Sequence, residues 1–116
     1  MKLVIKRDQK AQTGMFGGHK GMTFLLTCRV VLTPQEQQLI EKYKADQYLA
    51  EPPKIEGMKT NVACYTPSIL TAGVTHECKD VTILLHTEGI IKEACQNFKN
   101  LLVVMASFGG DQVFDF

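Results

Sequence analysis

A chain of 116 residues, 45% of them hydrophobic and with a formal charge of +1, is the size of a single domain, residues 1–116, with a real core. Cys28, Cys64, Cys78 and Cys95 form no CxxC pair, which argues against a zinc knuckle or a thioredoxin-type couple and fits buried free thiols in a reducing compartment. No apolar run approaches a membrane span, and Met1–Arg7 is too short and too charged for a signal-peptide core; the expected setting is the cytoplasm.

The charge is unevenly placed. Lys2, Lys6, Arg7, Lys10, Lys20 and Arg29 face only Asp8 within residues 1–29, while the remaining acidic residues all lie further on. Such asymmetry bears on how a protein meets a partner.

Lys2–Arg7 reads as a strand with Leu3 and Ile5 on one face and Lys2, Val4 and Lys6 on the other. Asp8–Gly21 reads as a glycine-rich connection holding Gly14, Gly17, Gly18 and Gly21. Met22–Leu32 is the clearest strand: Phe24, Leu26, Cys28, Val30 and Leu32 share one face, and Leu25, Arg29 and Val31 stand on the other. The two strands are expected to pair antiparallel. Thr33-Pro34-Gln35-Glu36 is a helix start, with a capping threonine, proline at the first helical position and glutamate three residues after the cap. Its helix is expected from Pro34 to about Tyr48, followed by a loop through Pro52, Pro53 and Gly57 to Thr60.

Asn61–Tyr65 is a short strand candidate. Between Ser68 and Leu85 the pattern is ambiguous: Val81–Leu85 has the composition of a buried strand, Asp80 can end one element or cap another, and a short helix is assigned near Thr75–Lys79. Glu88–Ser107 is a strongly marked amphipathic helix, with Thr87 as its expected cap. Ile90, Ile91, Ala94, Cys95, Phe98, Leu101, Leu102 and Met105 lie on one face, widened by Val103 and Val104. Gly109-Gly110 ends it, and the alternation of Asp111–Phe116, with Gln112, Phe114 and Phe116 on one side, predicts a last strand of the sheet. The expected fold is α+β, a small antiparallel or mixed sheet with two main helices packed on one face.

The expected function is that of a non-enzymatic interaction or accessory protein. Two helices cover only one side of a small sheet, so Val4, Leu25 and Val31 are expected at an interface, with a homodimer as the economical solution or a different protein as partner. The alternative is an anion-, nucleotide- or nucleic-acid-binding module using Lys6, Arg7, Lys10, His19, Lys20 and Arg29 around the glycine-rich loop. That loop lacks the Walker spacing, since Lys20 is followed by Gly21 and a strand. A second alternative is a small hydrolase built on Cys78 or Cys64 with His76 or His86 and Asp80 or Glu88. A metal set of His76, Cys78 and His86 lacks the HExxH spacing, and no metal or other cofactor is expected.

Overall fold

The computed structural model describes residues 1–13, 19–46, 58–59 and 65–116. Strand β1 (Lys2–Thr13) pairs antiparallel with β2 (His19–Val31), from Lys2 opposite Val31 to Thr13 opposite His19. The ladder thus runs through most of the expected connection. Cross-strand hydrogen bonding outweighs the low strand preference of Asp8, Gln9 and Lys10. An irregularity falls between Gln12 and Thr13, and Gly21, opposite Gln12, takes φ +109°. That backbone geometry is strained for a residue with a Cβ.

Helix α1 is Pro34–Tyr43, shorter than the sequence implies. The expected capping box is present: the Thr33 hydroxyl accepts from the Glu36 amide at 3.2 Å, and Glu36 Oε1 accepts from the Thr33 amide at 3.0 Å. The helix stops because Lys44 turns left-handed at φ 52°, and the buried Ala45 then donates its amide to the Ile40 carbonyl. Gln47, Tyr48 and, of the loop expected through Thr60, residues 51–57 and 60 lie outside the described residues. So does 61–64 of the Asn61–Tyr65 strand; its last residue, Tyr65, forms a single bridge. Met58–Lys59 form a strand where loop was expected, because they pair with Glu77 and Cys78.

Strand β3 (Met58–Lys59) is two residues long. Helix α2 (Pro67–Ala72) is capped by Thr66, whose hydroxyl accepts from the Ile69 amide, and Gly73 at φ +102° turns it into strand β4 (Val74–Cys78). This replaces the helix expected near Thr75–Lys79. Alternation settles the matter, because Val74, His76 and Cys78 are buried and Thr75 is exposed. The antiparallel sheet has the order β1-β2-β4-β3.

Helix α3 is Val81–Ser107 and begins nearly two turns before the expected start at Glu88. Asp80 caps it, its Oδ1 accepting from the Ile83 amide at 2.9 Å. Thr87 is a buried mid-helix residue whose hydroxyl donates to the Ile83 carbonyl, not a cap. The segment Val81–Leu85 is helical because only Leu84 of its apolar residues is buried, in phase with Ile91, Ala94, Cys95, Phe98, Leu102 and Met105. Leu101, Val103 and Val104 instead face solvent. Asp111–Phe116 forms no strand in this chain; all six residues are exposed and without regular structure.

The inner face of the sheet gives Leu26, Cys28, Val30, Val74 and Cys78 to a core completed by Leu70 of α2 and by Leu84, Ile91, Ala94 and Cys95 of α3. A second cluster joins Ile40 and Ala45 to Phe98, Leu102 and Met105. Met1 and Leu32 pack against both clusters and make the core continuous. Each fully buried large aliphatic or aromatic side chain here contributes roughly 1.5–3 kcal/mol.

Candidate functional site

Strand alternation divides the candidate residues between two faces. Val4, Lys6 and Lys10 of β1 and Leu25, Arg29 and Val31 of β2 share the outer face, with Val4 opposite Arg29 and Leu25 between Asp8 and Glu77. None of the residues of either core cluster lies on this face. Val4 is 43% exposed, Val31 is 40% exposed and Leu25 is half-buried. Toward the middle of the face the Thr27 and Thr75 hydroxyls meet at 3.1 Å. Thr23, on the same face opposite Lys10, is buried.

This is a mixed surface. Lys2, Lys6, Lys10 and Arg29 bring positive charge, Asp8 and Glu77 negative, and the apolar patch sits among them. The Lys6 ammonium lies 3.9 Å from Asp8 Oδ2, a loose and solvent-screened contact. Thr75 and Glu77 join the face through β4. Sequence reading missed them because that segment was assigned to a helix, where they would not have stood beside β2.

Arg7 does not belong to this set. It falls in phase with Leu3 and Ile5 on the inner side, and its guanidinium reaches α3. Nε donates to Glu88 Oε2 at 3.0 Å and Nη2 to Glu88 Oε1 at 2.5 Å. Lys92, one turn on, stands 3.3 Å from the same carboxylate. The Glu88 side chain is only 3% exposed. Hydrogen bonding by Arg7 holds its carboxyl below the ordinary range, against the opposing effect of burial, with Lys92 assisting. Arg7 is thus part of the bolt between sheet and helix. The alternation of β1 was the available signal; its partner was not visible in sequence.

The side chains of His19 and Lys20 and the loop 14–18 lie outside the described residues. Lys10 stands exposed on the two-stranded ribbon.

The histidine and cysteine candidates are divided in the same way. His76 and Cys78 are buried on the inner face, while His86 is exposed on α3. The Tyr65 hydroxyl and His76 Nε2 are 2.9 Å apart, the rings meeting edge to face. Burial pushes the His76 imidazole below its ordinary value. Burial also raises the Cys28 thiol to about 12, the Cys95 thiol to about 11, and the Cys78 thiol above its ordinary value. A buried, protonated thiol is a poor nucleophile, and Asp80 is engaged as a helix cap. Cys64 lies outside the described residues. Among the described residues, no three His, Cys, Asp or Glu side chains gather as a metal site, and no helix is long and apolar enough to cross a membrane.

No protein-family model matches the chain, and no curated protein or solved structure matches it either.

Proposed function

We propose that this chain is a non-enzymatic interaction protein of the reducing cytoplasm, acting as a homodimer through the outer face of its sheet. The observation that carries the reading is the position of Val4, Leu25 and Val31 together on a face that holds none of the core residues, beside Arg29. The charges around the patch suit self-pairing. The outer face carries both signs, Lys6 and Arg29 with Asp8 and Glu77, so a second copy can meet it with opposite charges facing. Three buried free thiols, Cys28, Cys78 and Cys95, accord with a reducing setting.

Sedimentation equilibrium across micromolar concentrations tests this. The chain should self-associate, and Leu25→Glu should weaken the association at least about tenfold while leaving far-UV circular dichroism unchanged, a change worth about 1.4 kcal/mol. A monomer throughout that range, or a Leu25→Glu chain that associates as well as the original, would overturn the reading.

The nucleic-acid alternative rests on Lys2, Lys6, Lys10 and Arg29 along one face of the ribbon. It requires affinity that falls steeply with salt.

A further inference from the structure

The tail Asp111–Phe116 has the alternation of a strand and, among the described residues, pairs with no strand, while β1 leaves one edge of the described sheet free. A groove of about 400 Å³ runs beside that edge, lined by Arg7, Asp8 and Gln9 of β1, Phe24 of β2, and Val81 and Leu84 at the start of α3. We propose that the tail of a second copy of this chain adds to the β1 edge and seats Phe114 and Phe116 in this groove.

Three observations converge. The first is chemical. As a strand, the tail sends Phe114 and Phe116 to one side and Asp111, Val113 and Asp115 to the other. Laid along β1, the phenyl rings enter the groove over Phe24, Val81 and Leu84, and the aspartates face the outer side, where Lys6 and Lys10 flank Asp8. The second is exposure. Phe114 is 75% exposed and Val113 is 85% exposed, and Val81 at the groove's rim is 50% exposed, so both surfaces are free to meet. An edge strand is the natural acceptor for such a segment, which here displaces the bond that the Gln9 amide donates to Asp8 Oδ1 at 2.9 Å.

The third is reach, and it selects a second copy over the tail's own chain. The groove lies at the first turn of α3, whose 27 residues rise about 40 Å. The tail leaves the opposite end, where Phe108 packs against Tyr43 of α1 with ring centroids 5.6 Å apart. Phe114 lies six residue steps beyond Phe108, a span of at most about 22 Å when fully extended. Phe114 cannot return to its own groove. Two copies can exchange tails reciprocally, a two-fold contact separate from the outer-face pairing.

The test is fluorescence anisotropy with a labelled peptide of residues 108–116, titrated with the full-length Phe114→Asp chain, whose own tail is disabled. Saturable binding is expected. It should weaken at least about tenfold when Val81→Asp is added to that chain, and equally when both phenylalanines at 114 and 116 of the peptide become serine. The second arm leaves the folded chain untouched. Leu25→Glu added to the receptor should leave peptide binding intact, which separates this contact from the outer-face dimer. In sedimentation, Leu25→Glu alone should still associate at concentrations above the peptide dissociation constant, and Leu25→Glu/Phe114→Asp should not. Absence of saturable binding up to about 1 mM, indifference to the peptide phenylalanines, or a strictly monomeric Leu25→Glu chain at those concentrations would overturn the proposal.

Discussion

Arg7 and Glu88 are 81 residues apart in sequence and meet through two hydrogen bonds at the junction of β1 and α3. The acid is buried and the guanidinium is largely exposed, so the contact serves mainly to let a carboxylate sit at the sheet–helix interface in its charged form.

Arg7→Ala should therefore lower the melting temperature at neutral pH by leaving Glu88 to Lys92 alone. The Glu88 carboxyl lies below its ordinary 4.5 in the folded chain, so its contribution is present above about 4.5 and is lost as the pH falls through the folded value. Thermal melts from pH 7 to pH 3 should show a shallower acid decline in Arg7→Ala than in the original chain. Arg7→Lys should restore stability only in part, because an ammonium cannot reproduce the two-pronged contact. Equal melting temperatures at pH 7 would show that the contact is not held in solution.

Tyr65→Phe removes the hydroxyl that partners His76 Nε2 in the core. Nδ1 of His76 has no hydrogen-bond partner among the described residues, so the substitution leaves this buried ring wholly unsatisfied there. A cost of about 1–3 kcal/mol is expected from urea midpoints at pH 8. Burial depresses the His76 value below 6.5, so the neutral ring stabilises the fold fully above 6.5 and progressively less as the pH falls below it. His76→Leu should flatten the stability profile just below pH 6.5; an unchanged profile would refute the buried neutral ring.

Glu36 gathers more partners than any ordinary capping-box acid. Its Oε1 lies 2.7 Å from the Met1 ammonium, and its Oε2 lies 3.5 Å from Lys99. Burial alone would raise its carboxyl. Hydrogen bonds from the Met1 ammonium and Thr33 overcome this and bring it down to about 2. Glu36→Gln keeps the shape and removes the charge, and should cost about 1–3 kcal/mol at pH 7. The difference should vanish as the pH falls from about 4.5 toward about 2, where the original carboxylate also becomes neutral. Thr33→Ala should cost about 1 kcal/mol through the lost cap.

The thiols give a kinetic prediction. Cys28, Cys78 and Cys95 are free and buried. At pH 8 these three should react with a disulfide reagent only as fast as the chain unfolds, and titration after unfolding without reductant should find four thiols. Rapid native labelling of any of the three, or fewer than four groups, would contradict this. Cys95→Ser should lower stability by placing a hydroxyl in the inner stripe of α3.

Sequence alone determined the features whose cause is local or strictly periodic. The Thr33-Pro34-x-Glu36 start closes within four residues and forms as read. The alternation of Met22–Leu32 placed Leu26, Cys28 and Val30 inside and Arg29 and Val31 outside, which is the division that defines the candidate face. The apolar spacing of Ile91, Ala94, Cys95 and Phe98 fixed the inner side of α3. Tertiary structure decided what local pattern leaves degenerate. Val81–Leu85 satisfies a strand or a helix equally until Leu84 finds the core and Asp80 caps the amides behind it. Val74–Cys78 is a strand because β2 offers it a ladder. Asp111–Phe116 alternates as a strand does, yet alternation supplies no partner, and among the described residues it joins no strand of its own sheet. Arg7 shares its basic character with Lys6 and differs in destination because a strand sends neighbours to opposite faces and only one face holds Glu88. Contacts between residues far apart in sequence depend on which surfaces the fold brings together, and no local periodicity encodes them.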